Sequence, residues 1–390
     1  MNYILYDGSV RDSLLPLTFT RPVADIRVGI LTIREKWEKQ LNCTTTTLTE
    51  DYLAEKFPMV ELGHNVMINA AYLPTPTLVA MVKDLKEGQA ICYQEEIIAF
   101  YTREETEVNF DDCTLLNYTD PLVKIAFPWD IFSCNGAAIA ADFALLTAGR
   151  TSAKIPDTVQ CIAKENIFVE EGVELSFAMI NASEGPVYLS KGAKVLEGAM
   201  LRGPFSLGLN STVKMGAKIY GETTVGPYCT VGGELKNAVI FGYSNKGHEG
   251  YLGNAVLGEW CNLGADTNNS NLKNNYAEVK VWSYETERFA KTGLQFCGLI
   301  MGDHSKCGIN TMFNTGTLVG VSANIYGASF PRNFIPSFSW GGAAGFTTYR
   351  LEKVKEVAEK VMARKKLPYT EVDHAILQHV FEATEKYRQR

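Results

Sequence analysis

The sequence predicts a three-part chain: a mixed α/β segment, a long parallel β-helix and a helical tail. Three observations carry this. Aliphatic side chains return at every sixth position, at Leu189, Val195, Leu201, Leu207, Val213, Ile219, Val225 and Val231, a short internal period of the kind that marks a solenoid. Upstream of the repeat, short apolar strand signals alternate with runs of helical spacing. Downstream, two amphipathic stretches follow one another.

Composition sets the frame. A chain of 390 residues, 46% hydrophobic and 21% charged, is long enough for two or three domains and needs neither disulfides nor metals to fold. Disordered and collagen-like classes are excluded. The net charge of −7, from 37 basic and 44 acidic side chains, provides no basic field for a polyphosphate backbone, so no nucleic-acid partner is expected. The opening MNYILYDGSVRD lacks the basic and apolar regions of a signal peptide, and no apolar run reaches the ~18 residues of a membrane span. A cytoplasmic protein with no membrane partner is the expectation. Nine cysteines are scattered without a C-x-x-C pair, which predicts buried, reduced thiols and no metal site.

In the first segment, residues 1–155, YILYDG reads as a strand ending in Gly8, and 29–41 carries apolar residues at helical spacing. VNFDDCTLLNY offers another strand, and NGAAIAADFALLTA a helix ahead of Gly149. The segment is expected to form a separate domain. In the second, 156–345, a small side chain follows most hexad aliphatics four residues on: Ala193, Ala199, Ser211, Ala217, Thr223 and Cys229. In a triangular solenoid each face is one hexad, with the aliphatic residue inside the coil and the small one near the corner. The pattern resumes at Leu257 and Leu263 and again at Met301, Cys307, Phe313, Val319 and Ile325. It breaks at 232–251 and 266–298, where loops are expected to leave the rod, the second with a short hairpin over AEVKVWSY. In the third, 346–390, Leu351, Val354, Val357, Ala358 and Val361 share one helical face before Leu367-Pro368, and EVDHAILQHVFEATEKY forms a second helix.

Chemistry-bearing side chains gather at the first break and just beyond it. His248, Lys236, Tyr251, Asn262 and Asn271 supply a base that titrates near neutrality, a point charge for phosphate, and groups that bond amides or hydroxyls. Cys229, Cys261 and Cys307 fall on core or corner positions of the repeat and read as packing. His64, His304, His374 and His379 carry no functional signal, the last two lacking metal-ligand spacing.

The stretches ELKNA, KGHEGYLGN and CNLGADT resemble, in order and spacing, the acetyltransferase motifs of the bifunctional N-acetylglucosamine-1-phosphate uridylyltransferase and glucosamine-1-phosphate acetyltransferase family. The resemblance implies a left-handed β-helix acting as a homotrimer, with acetyl-CoA as co-substrate in UDP-N-acetylglucosamine biosynthesis. It makes His248 the general base toward the 2-amino group of glucosamine 1-phosphate and Lys236 a sugar-phosphate contact. Tyr251, Asn262 and Asn271 become sugar and amine positioners, and Ala265 the residue whose backbone faces the acetyl thioester. Where the family carries a phosphate-binding Arg, the chain reads Ile219-Tyr220-Gly221, leaving Arg202, Lys214 or Lys218 to replace it.

The segment SLLPLTFTRP is similar to the opening of sugar nucleotidyltransferases, which implies a Rossmann-like α/β domain. The Gly-rich phosphate loop is replaced by Gly8-Ser9-Val10-Arg11-Asp12, readable equally as a plain strand-to-helix turn. Val23 stands where those enzymes have Lys, and Asn69-Ala70-Ala71 where they have the magnesium-binding Asp. Asp7, Asp12 and Asp25 are the carboxylates that could stand in. Three functions follow: an amino-sugar-phosphate N-acetyltransferase; a bifunctional enzyme that also uses UTP or dTTP with Mg2+; or a non-catalytic sugar-nucleotide-binding trimer.

Overall fold

The computed structural model describes residues 1–103 and 108–389. The N-terminal part is a mixed six-stranded sheet built from β1 (Asn2–Tyr6), β2 (Thr46–Leu48), β3 (Asn65–Asn69), β4 (Gln89–Tyr93), β5 (Glu96–Thr102) and β6 (Thr114–Asn117), in the order β2-β1-β3-β5-β4-β6. β1 runs parallel to β2 and β3, and β5 is antiparallel to both its neighbours. The expected helices are α1 (Ile33–Leu41), opened by a reciprocal capping box of Thr32 and Glu35, and one at Asn135–Thr147. Trp37 packs from α1 into the core, its indole N–H donating to the Tyr72 carbonyl at 3.1 Å.

From Gln160 the chain winds into a parallel β-helix of triangular section. Leu189 pairs with Leu207 and Leu207 with Val225, one coil of three hexads apart. These aliphatics are fully buried in a core that runs the length of the rod. The first face comprises Met179–Asn181, Met200–Arg202, Lys218–Ile219 and the opening residues of the long strands Glu234–Gly242 and Tyr251–Glu259. The second face includes Val187–Leu189, Phe205–Leu207, Thr223–Val225, the later residues of those long strands, and Leu299–Met301. The third runs through Thr212–Val213, Thr230–Val231, Asn245–Lys246, Asn262–Leu263 and Lys306–Cys307. At the corner between the second and third faces Tyr228, Tyr243, Trp260 and His304 all take positive φ, and their rings stack in series.

The break at 232–251 is not a loop leaving the rod. Ile219 pairs with Leu235 and Leu235 with Leu252, so the coils continue with residues lost from corners, and the sequence period fails while the stack persists. The break at 266–298 is an excursion: after Asn268–Asn269 the chain forms an antiparallel hairpin of Lys280–Ser283 and Arg288–Lys291. Helices Leu351–Arg364 and Glu371–Ala383 follow. No helix among the described residues is long and apolar enough to cross a membrane.

The N-terminal part does not close a core of its own. One hydrophobic cluster joins Leu5, Trp37 and Phe132 to Val239, Phe241 and Val256 on the outer side of the second face, and to Val354 and Leu377 of the tail. Burial of the outward side of this sheet explains why its strands read as apolar throughout. Polar clamps fix the seam. Arg21, 5% exposed, bonds Asp303 and lies 3.4 Å from Glu259, and Thr20 Oγ1 donates to Asp303 at 2.8 Å. Burial opposes the Arg21 charge, but the two carboxylates more than offset it and raise the guanidinium pKa. Lys56 and Asp373 pair at 2.7 Å and Tyr52 stacks on His379, tying in the tail.

Removing one partner of a buried ion pair strands the other charge. Asp303→Ala should therefore lower stability by about 3–5 kcal/mol in urea unfolding. An unchanged midpoint would show that the seam is not fastened there.

Candidate functional site

The site is a corner of the rod. Asn245 pairs with Asn262, which stacks Lys246 on Leu263 and sets corner 247–250 beneath corner 264–267. The Asp266 N–H donates to the Glu249 carbonyl at 3.0 Å, so His248 lies one coil below Ala265. His248 is exposed and Ala265 half-buried. Gly250 is required here: its φ is +117, and a Cβ would stand 2.1 Å from the Thr267 carbonyl oxygen.

On the first face, Tyr251 pairs with Glu234 and Lys236 with Gly253. Leu235 and Leu252 are buried, so strand alternation turns Lys236 and Tyr251 outward on the same face. A Cβ on Gly253 would fall 2.2 Å from the Tyr251 hydroxyl; glycine is what lets that ring lie over the strand. Asn271 Nδ2 donates to the Tyr251 hydroxyl at 3.0 Å and to Asn254 Oδ1 at 2.7 Å. Burial raises the Tyr251 pKa, and the bond from Asn271 opposes the rise. Asn268 and Asn269 fix the backbone beneath, accepting the N–H groups of Tyr251 and Gly253 at 2.8 Å each.

The structure therefore brings together His248 with Ala265, and Tyr251 with Asn271, with Lys236 on the same face as Tyr251. Asn262 stands apart, exposed on the third face between Asn245 and Lys306. Asn254 is a member that sequence reasoning missed; the Asn-rich run 268–271 was the available signal for the backbone pins. Lys246, also missed, is fully buried beneath the corner. Among the cations that could replace the missing Arg, Arg202 pairs with Glu184 at 3.1 Å, whereas Lys218 reaches 3.8 Å from Glu249, the neighbour of His248. The Lys214 stem lies under Gly247.

Cys229, Cys261 and Cys307 are buried in the coils as expected, and burial pushes the Cys229 thiol up to about 12. Against the expectation, Cys43 is exposed, just past the end of α1, and Cys113, Cys134 and Cys161 are only half-buried.

A second cleft is lined by Tyr6, Asp7, Gly8, Ser9, Arg11 and Thr49. Its would-be phosphate loop is a plain turn from β1 into a short helix, Asp12–Leu14. Arg11 turns inward, donating to Asp7 at 2.6 Å, the Thr18 carbonyl at 2.6 Å and the Tyr52 hydroxyl at 2.9 Å. Asp7 is saturated as well, accepting from Thr49 and from the Val23 N–H, and Asp25 is bidentate with Arg34. Asp12 and Glu50 are exposed at the mouth of this cleft, Glu50 3.7 Å from Arg11, with Ala70 and Ala71 buried at the end of β3. With Asp7 and Asp25 engaged in these contacts and no group of three or more His, Cys, Asp or Glu placed to hold a metal among the described residues, the cleft does not fit a magnesium–nucleotide complex.

Fold and site define a class: a nucleotidyltransferase-like domain joined to an acyltransferase-like β-helix. Residues 3–151 match the family model described as Sugar nucleotidyl transferase. The chain is similar to the Bifunctional protein GlmU of Trichodesmium erythraeum, 31% identical over 31% of this chain and 22% of that one. It is 36% identical to the Bifunctional sugar-1-phosphate nucleotidylyltransferase/acetyltransferase of Sulfurisphaera tokodaii over 24% of this chain and 23% of that one. The GlmU protein of Synechococcus elongatus is 23% identical over 57% of this chain and 50% of its own. The chain thus spans half or less of the length of these relatives, of which the Sulfurisphaera tokodaii protein is named for two transferase activities. The solved Arabidopsis UDP-N-acetylglucosamine acyltransferase overlaps 52% of this chain and 77% of its own at 16% identity and a TM-score of 0.26, too low to carry weight.

Because Arg11 and Asp7 neutralise each other, pyrophosphate release from UTP, magnesium and a sugar 1-phosphate should stay at background. Robust release would show that this pair opens to receive nucleotide.

Proposed function

We propose that the chain is an acetyl-CoA-dependent N-acetyltransferase acting on an amino-sugar 1-phosphate, with glucosamine 1-phosphate as the acceptor. The observation that carries this reading is the corner itself: an exposed imidazole one coil below Ala265, three residues ahead of Tyr251, whose hydroxyl is linked by hydrogen bonds to Asn271 and through it to Asn254. His248 takes a proton from the 2-amino group as its nitrogen attacks the thioester carbonyl. The C–N bond forms, the C–S bond breaks, and the imidazolium returns its proton to the departing CoA thiolate. Backbone N–H groups of the corner hold the developing oxyanion. No covalent enzyme intermediate is needed. Lys236, Lys214 and Lys218 supply charge for the sugar phosphate, and Tyr251, Asn254 and Asn271 supply polar contacts for the sugar. The N-terminal domain serves as a buttress to the second face, without nucleotidyl transfer.

The first face is the side open to solvent along the early coils, where Ile162, Met179, Met200 and Tyr220 are exposed. These apolar side chains are interspersed with Asn181, Arg202 and Lys218 on the same rungs, a mixed exposed face of a kind that supports self-association. We place a homotrimer there, with Asn262 reaching acceptor or thioester in the assembled form. Sedimentation should give three times the chain mass at micromolar concentration; a strict monomer would remove this part of the reading.

The acetyl transfer is tested by release of free CoA thiol with glucosamine 1-phosphate. His248→Ala should lower kcat by roughly 10²–10⁴ with acetyl-CoA affinity nearly unchanged. Lys236→Ala should instead raise KM for the sugar phosphate, since that contact exists in ground and transition states alike. Turnover at the wild-type rate in the His248 variant would eliminate the mechanism.

A further inference from the structure

The inward slots of the third face hold Val213, Val231, Leu263, Cys307 and Ile325, all buried. Between Val231 and Leu263 the same slot is filled by Lys246, paired with Val231 and fully buried. A lysine in an aliphatic slot of a solenoid core calls for a reason, since burial of an ammonium without partners is expensive.

Its partners explain the placement. Nζ donates to the carbonyls of His248 at 2.5 Å, Glu249 at 3.2 Å and Gly232 at 3.4 Å. Three N–H groups meet three carbonyls, which is what only a protonated amine can offer. The geometry below makes room. Between Thr230–Val231 and Glu234 the preceding corner has just two residues, Gly232 and Gly233, and a Cβ on Gly233 would stand 2.7 Å from the His248 carbonyl oxygen. The corner bearing His248 therefore rests on two glycines and is drawn inward by one cation.

We propose that Lys246 is the positioning residue of the His248 corner, its ammonium holding the His248 and Glu249 carbonyls inward so that the imidazole stands outward below Ala265. The inference rests on the acetyltransferase reading for its catalytic consequence only; the clamp itself is a property of the fold.

Burial lowers the Lys246 pKa to about 8, with the carboxylates of Glu249 and Asp266 and the Cys307 thiol acting in the opposite sense. The clamp is thus charged at neutral pH and loses its third donor above about pH 8. The sign for stability runs the other way. An unfolded lysine titrates near ~10.4, so between about pH 8 and that value the unfolded chain binds more protons, and this residue adds stability as pH rises. At neutral pH the charge is a net burden on folding, carried for the sake of the corner.

Lys246→Met keeps chain length and fills the slot with an apolar group. It should be as stable as wild type or more so near pH 7, since replacing a buried charge by a well-packed apolar side chain is often neutral or stabilising. Its kcat for acetyl transfer should fall at least ~10-fold with both KM values within about 3-fold, and hydrogen-exchange protection of the Asp266 and Glu234 amides, which donate to the Glu249 and Gly250 carbonyls of the corner, should fall by a similar factor. In the wild type, protection of those amides, corrected for the intrinsic rate, should decline as pH passes 8. The exchange measurements need no turnover, so a wild type that releases no CoA but keeps the pH-dependent protection would sink the acetyltransferase reading and leave the clamp standing. A Met variant with unchanged kcat and protection, or one that is merely less stable with full activity per folded molecule, would overturn the clamp. If the Met variant does not fold, the wild-type exchange profile decides, and a flat profile across pH 8 overturns it.

Discussion

Parallel coils must lie one strand spacing apart, ~4.8 Å, and each must set an apolar side chain on the one beneath it. That constraint governs the rest of this molecule. It converts a separation of about one coil in sequence into direct neighbours in space, which is how His248 comes to lie below Ala265 and Lys236 beside Gly253. Corners, unlike strands, have no partner to match in register, so residues are gained and lost there at little cost. Chemistry therefore collects at a corner whose length changes, while the faces on either side keep their pairing.

The second consequence concerns the N-terminal domain. Covering the second face buries Phe168, Tyr188, Phe241 and Val256, and hydrogen bonds cross this seam: Asn135 Nδ2 bonds the Glu222 carbonyl at 2.7 Å, Thr224 Oγ1 the Gly29 carbonyl at 2.9 Å and Arg27 Nε the Phe241 carbonyl at 2.9 Å. Within the domain the same economy applies. Arg11 and Asp7 satisfy each other and the turn around them. Residues 3–151, which match the Sugar nucleotidyl transferase model, thus also brace the second face of the rod.

Much of this was legible in the residues. The hexad aliphatics mark the inward slots wherever coils are of full length, and the helices at α1, Asn135–Thr147 and the tail follow their apolar spacing. The hairpin in the second excursion was visible in its alternation. The first break misled for a physical reason: a period is read from strand-to-strand distance, and short corners change that distance without changing the stack. The same shift hid Lys246, whose inward slot is evident only once Val231 is known to be its partner. Asn254 was hidden because its left-handed corner position gives no hexad signal. The shared core was equally out of reach, since apolar residues on the outer side of a sheet do not say what will cover them. The family resemblance grouped Asn262 with Tyr251 as positioners, whereas the coil sets them on different faces.

The most direct test of the account is the structure of the protein crystallised with CoA and glucosamine 1-phosphate. The account predicts the sugar against Tyr251, Asn254 and Asn271, its 2-amino group within reach of His248, and the CoA thiol at the Ala265 backbone, with the cleft around Asp7 and Arg11 unchanged. Ligand bound at Asp7 and Arg11, with none at the corner of His248, would contradict it.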